Sequence, residues 1–208
     1  MGGNREATPI SWLELSAYLQ SPTCVLKELD LDDNNINDDA VVSFARALAG
    51  NKSLENLSLD ECRDEDGNDL ITERGWGAVS SLLCNKTSIL DTHNSNHILN
   101  WLYTFILPDD VTSYLELNKN KDKVEVTRQK ILQSHFSTED NLQELLHMEL
   151  EIMPSVIAWI ARPAHTDWKG TNVSGLSLMY NLMKRVPDLF DSSPQSQNKR
   201  SGAGKRTR

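Results

Sequence analysis

The chain has 208 residues, of which 38% are hydrophobic and 25% charged, and a formal net charge of −9. This is an ordinary soluble balance, with length enough for one substantial core or two small ones. Its 3 cysteines are an odd number, which argues against a disulfide framework and for a reducing compartment. The longest nearly apolar run, Ile98 to Leu107, is too short to span a bilayer. Met1 to Ile10 is polar and has no secretory pattern, and Glu6 stands where a myristoylation signal wants Ser or Thr.

After a flexible N-terminus over 1–9, Trp12, Leu13, Leu15 and Leu19 predict a helix that stops at Ser21-Pro22. Leu26-x-x-Leu29-x-Leu31-x-x-Asn34 then predicts a short strand. Leu29 and Leu31 share one face, and Asn34 is placed to satisfy backbone groups as the chain leaves. The period changes next: Val42, Phe44, Ala45, Leu48 and Ala49 predict a helix, with Asp38 and Asp39 at its positive end and Gly50-Asn51 as its stop. Leu54-x-x-Leu57-x-Leu59-x-x-Cys62 repeats the strand motif 28 residues later. Trp76, Val79, Leu82 and Leu83 repeat the helix, ending at Cys84-Asn85.

Leu83 lies 35 residues after Leu48, so 7 extra residues are assigned to the segment Arg63 to Leu70. At the same offset Ile89, Thr92, Asn94 and His97 predict a degenerate third strand that closes the stack. The extra segment resembles a calcium loop at Asp64, Asp66, Gly67 and Glu73. Cys62 and Asp69 break that pattern, and an exposed acidic loop is the expectation. His93 and His97 are four apart but lack a third ligand at zinc spacing. Gly75-Trp76-Gly77 has no following Lys-Ser/Thr, and His147-x-Glu149 has no partner nucleophile. The sequence thus predicts no catalytic residue, no metal and no cofactor.

From 108 to 190 the expectation is all-helical. Asp122 to Phe136 is amphipathic through Val124, Val126, Ile131 and Leu132, and Ser137-Thr138-Glu139-Asp140 starts a helix carrying Leu142, Leu145 and Leu146. Further helices are expected over 154–162 and 174–186. Residues 191–208 form a Ser-, Gln- and Gly-rich tail, expected to be disordered, with Lys199-Arg200 and Lys205-Arg206 as basic pairs.

On the two strand motifs and their following helices, residues 10–107 resemble the ribonuclease-inhibitor-like class of leucine-rich repeat proteins. The resemblance implies an α/β fold: a short solenoid of parallel strands and outer helices, with the helical C-terminal region as its cap. It also implies a concave face that binds another protein, or, as the alternative, an enzyme regulator such as one acting on a GTPase. In that class the residues flanking the inward leucines line the concave face. Here they are Glu28, Asp30 and Asp32 on one strand and Asn56, Ser58 and Asp60 on the next. Such an acidic strip favours a basic protein partner and disfavours nucleic acid; no membrane association is expected. The expected location is cytoplasmic, with the basic pairs of the tail as a nuclear import signal in the alternative.

Overall fold

The computed structural model describes residues 9–64 and 66–136, together with positions 154–156, 158, 180 and 184. Along 9–136 the order is α1 (Pro9–Gln20), β1 (Glu28–Asp30), α2 (Asp38–Leu48), β2 (Asn56–Ser58), α3 (Glu73–Leu83), α4 (Ile89–His93), β3 (Trp101–Tyr103), α5 (Asp109–Asn118) and α6 (Lys123–His135). The strands form one parallel sheet in the order β1-β2-β3, so the architecture is mixed α/β.

Alternation along each strand splits the sheet into two faces. Leu29, Leu57 and Leu102 lie in register and face the core, while the residues on either side of each turn away. On the core side α1 packs on α2, α2 on α3 and α3 on α5, in a row. Leu19, Leu31, Phe44, Leu48, Leu59, Val79 and Leu83 fill the space between helices and sheet. Each side chain buried this way contributes roughly 1.5–3 kcal/mol. The same core takes in Leu99, Leu102, Val111, Tyr114 and Leu115, so it runs without a break past residue 107.

Helix starts follow the local chemistry. Asn37 caps α2 by accepting from Ala40 N at 3.1 Å, with Asp38 and Asp39 in the first turn. Asp38 also organises the next helix, accepting from Thr72 N, Thr72 Oγ1 and Gly75 N at 2.8, 2.7 and 3.0 Å. Burial pushes its carboxyl up, but these donors outweigh burial and hold it below the usual range. The buried face of α2 is Ala40, Val41, Phe44, Ala45, Ala47 and Leu48. It is centred one residue earlier than the sequence suggests: Val42 is half-buried, and Ala49 is exposed at the C-cap.

The expected third strand is corrected. β1 and β2 pair at the 28-residue offset, Glu28 with Asn56, but β2 pairs with β3 at 45, Asn56 with Trp101. Ile89 to His93 is helix α4 instead: Ser88 caps it by accepting from Asp91 N at 3.0 Å, and buried Thr92 donates to Asn85 O at 2.6 Å. The Ser88 cap starts a helical turn there, and the Thr92 hydroxyl ties that turn to the chain leaving α3 rather than taking an inward strand position.

α6 is fastened to the rest by a buried amine. Lys130 Nζ lies 2.5 Å from Leu83 O, 3.2 Å from Asn96 O and 3.2 Å from His97 Nδ1. His97 Nε2 meets His93 O at 3.1 Å, so Nε2 carries the ring proton and Nδ1 accepts. Burial pushes the Lys130 amine down to about 7, while three acceptors around it favour the ammonium. Burial, then the Lys130 charge, push His97 down to about 4.

Pro154, Ser155, Val156, Ala158, Tyr180 and Lys184 are helical, within the segments where helices are expected. The helix start at Ser137 to Asp140, the stripe of Leu142, Leu145 and Leu146, His147 and Glu149, and the basic tail lie outside the described residues. Among the described residues no helix is long and apolar enough to cross a membrane.

Candidate functional site

The sheet face turned away from the helices carries six side chains in three registered pairs: Glu28 and Asp30, Asn56 and Ser58, Trp101 and Tyr103. Glu28 and Asp30 are exposed, and Asn56 and Ser58 half-buried. Asn56 Nδ2 donates to Glu28 Oε1 at 3.1 Å, which orients that carboxylate. The rings of Trp101 and Tyr103 are 52% and 53% exposed. Large apolar groups held in solvent on an ordered strand are more informative than exposed polar ones.

Asp32 and Asp60 stand past the strand ends and serve the turn. Asp32 Oδ1 accepts from Asp60 N at 2.7 Å, and Asp30 Oδ1 accepts from Asp32 N at 3.1 Å. The ladder continues through Asp33 N to Asp60 O at 3.0 Å. Asp33 and Glu61, 28 residues apart, both take left-handed backbone with φ of 54° and 53°. That conformation costs a residue with a Cβ about 1 kcal/mol or more. Asn34 Nδ2 then donates to Leu31 O and Asp32 O at 2.9 and 3.0 Å, as its place in the motif requires. Cys62 is buried at the corresponding turn, where burial pushes its thiol up to about 11.

The segment from Arg63 to Leu70 closes on itself. Arg63 pairs with Asp69 in an isolated antiparallel bridge, and Arg63 Nε bonds Asp69 Oδ1 at 3.1 Å. Asp64 accepts from Asp66 N, Asn68 N and Asn68 Nδ2 at 3.0, 2.8 and 3.0 Å. Among the described residues no three His, Cys, Asp or Glu side chains gather as metal ligands. His93 and His97 meet through a ring nitrogen and a backbone carbonyl.

Between this segment and the loop after β3 lies a cavity of about 210 Å³, walled by Leu59, Ile71, Trp76, Phe105 and Ile106, with Asp60 and Asp69 on its lining. Arg63 also lines it, with its guanidinium 5.2 Å from the centre of the Phe105 ring. On β3, Lys119 Nζ is likewise 5.2 Å from the Trp101 ring centre. Both distances are within the range of cation–π attraction.

The structure therefore brings Glu28, Asp30, Asn56 and Ser58 together, sets Asp32 and Asp60 at one end, and adds aromatic groups that sequence reasoning missed. The signal for them was present. Trp101-Leu102-Tyr103-Thr104-Phe105 alternates around an inward leucine, and Asn96-x-x-Leu99-x-x-Leu102 copies Asn51-x-x-Leu54-x-x-Leu57. Comparison with protein-family models, curated proteins and solved structures gives no match for this chain.

Proposed function

We propose that this chain is a short stack of the leucine-rich-repeat type that binds another protein, without catalysis, through the sheet face opposite its helices. The observation that carries this reading is the joining of two exposed carboxylates and two half-exposed aromatic rings on one registered face. Glu28 and Asp30 attract a basic partner and set its orientation; Trp101 and Tyr103 supply the large area that a binding hot spot needs. The repeat reading is supported by the 28-residue register of β1 and β2 and by matching hydrogen bonds at Asn51 and Asn96.

The test is affinity capture on the full chain, with bound proteins identified by mass spectrometry. Wild type is compared with Glu28→Lys/Asp30→Lys, with Trp101→Ala/Tyr103→Ala, and with Glu14→Lys/Asp109→Lys, which makes the same charge change elsewhere. Proteins lost with both face variants and kept by the control are the expected result. A capture list identical across all four proteins would sink the proposal.

A further inference from the structure

We propose that the cavity at the far end of β2 and β3 is an arginine-anchoring pocket, which takes one guanidinium side chain of the basic partner; this rests on the binding face assigned above.

Size is the first argument. At about 210 Å³ the cavity is smaller than the roughly 300–1,000 Å³ usual for small-molecule sites, and it suits a single long side chain. Its composition is the second. Trp76, Phe105 and Ile106 provide apolar wall for an aliphatic stem, and the charged lining, Asp60, Glu61 and Asp69 against Arg63, has an excess of carboxylates for a cationic head. A neutral apolar side chain would gain nothing from those carboxylates, and an acidic one would be repelled.

Arg63 supplies the third argument, because the protein already binds a guanidinium there in miniature. Its Nε bonds Asp69 Oδ1 while its charge lies over the Phe105 ring. The planar guanidinium can stack on a ring and bond a carboxylate at once; the ammonium of lysine, a compact and strongly hydrated charge, does this less well. Arg63 and Asp69 are both substantially exposed, at 40% and 64% of their side-chain surface, so the pair is weakly held and open to exchange. Position fits as well. Phe105 continues the β3 series of Trp101 and Tyr103, and Asp60 continues the β2 series of Asn56 and Ser58.

The experiment uses the full chain and two labelled probes of equal charge, (Gly-Arg)4 and (Gly-Lys)4, with binding read by fluorescence anisotropy at low salt. The expected result is a preference of about fivefold for the arginine peptide. Phe105→Ala should abolish the preference and Phe105→Trp should keep it; the 75% exposure of Phe105 makes both substitutions tolerable to the fold. Equal affinities for the two peptides, or a preference that survives Phe105→Ala, overturn the pocket while leaving the binding face standing. No binding of either peptide overturns the basic-partner reading and the pocket together.

Discussion

Asn51 and Asn96, 45 residues apart, make the same hydrogen bonds. Asn51 Nδ2 donates to Leu19 O at the end of α1, and its Oδ1 accepts from Ser53 N and Leu54 N at 2.8 and 2.7 Å. Asn96 Nδ2 donates to Leu48 O at the end of α2, and its Oδ1 accepts from Ile98 N and Leu99 N at 2.8 and 2.9 Å. Each amide ties a C-terminal carbonyl of an earlier helix to the approach of a strand, whose N–H groups its oxygen satisfies; Leu48 O also accepts from Asn51 N at 3.1 Å. Asn118 extends the series on its donor side, to Leu99 O at 2.6 Å and Asn96 O at 3.2 Å.

Replacing Asn96 by Ala should therefore be among the most damaging single changes outside the apolar core. It strands the half-buried Ile98 N–H and the buried Leu99 N–H and removes one of the two donors to Leu48 O, and the expected loss is about 2–3 kcal/mol. Urea unfolding followed by circular dichroism would measure it. A loss under about 1 kcal/mol would mean that water replaces the amide.

Lys130 gives a pH dependence whose sign is fixed by its burial. The folded value is pushed down to about 7 from 10.5, so between those values the unfolded chain holds the extra proton. Stability then rises with pH across that window. Lys130→Met removes this rise and leaves Leu83 O and Asn96 O without the donor, so the gap between wild type and variant should widen from pH 7 to pH 10. His97, pushed down from 6.5 to about 4, adds a rise of the same sign between those values. Denaturant midpoints measured across both windows check the pair.

Two glycines of α3 should respond in opposite directions. A Cβ on Gly75 would stand 2.6 Å from Asp38 Oδ1 and 2.8 Å from Ile71 Cγ2, whereas one on Gly77 meets nothing within 4 Å. Gly77→Ala should stabilise by up to about 1 kcal/mol through helix propensity. Gly75→Ala gains the same propensity but displaces the carboxylate that holds the start of α3, and should lose about 1–3 kcal/mol net. Thermal melts of the two variants side by side decide it.

The exposed aromatic rings should contribute little to folding. Trp101→Ala and Tyr103→Ala are each expected to shift stability by no more than about 0.5 kcal/mol. Trp101→Ala also removes the exposed cation–π contact with Lys119, which accounts for a shift of about 0.5 kcal/mol, the low end of such pairs. A larger loss in unfolding measurements would make these rings structural rather than available for binding.

The sequence by itself determined the local elements of the first half: the inward leucines of β1 and β2, their offset, the turn at Asn34, the start and stop of α2, and the stop of α3. These follow from periods of two and 3.6 and from capping, which act within a few residues and leave a direct trace. It also placed Glu28, Asp30, Asn56 and Ser58 on one face, because alternation around Leu29 and Leu57 permits nothing else. Only the tertiary structure decided where the third strand begins. Two insertions, the closed segment after Cys62 and helix α4, separate β2 from β3, and an offset carries no memory of how length is divided between them. Pairing with β2 and the Asn96 bonds to α2 select Trp101 to Tyr103, and that choice alone moves Trp101, Tyr103 and Phe105 beside the acidic strip. The buried Lys130 was likewise invisible, since its three acceptors come from α3 and from the approach to β3, 33 to 47 residues away. Contacts between distant segments depend on how whole elements pack, and no local period encodes them.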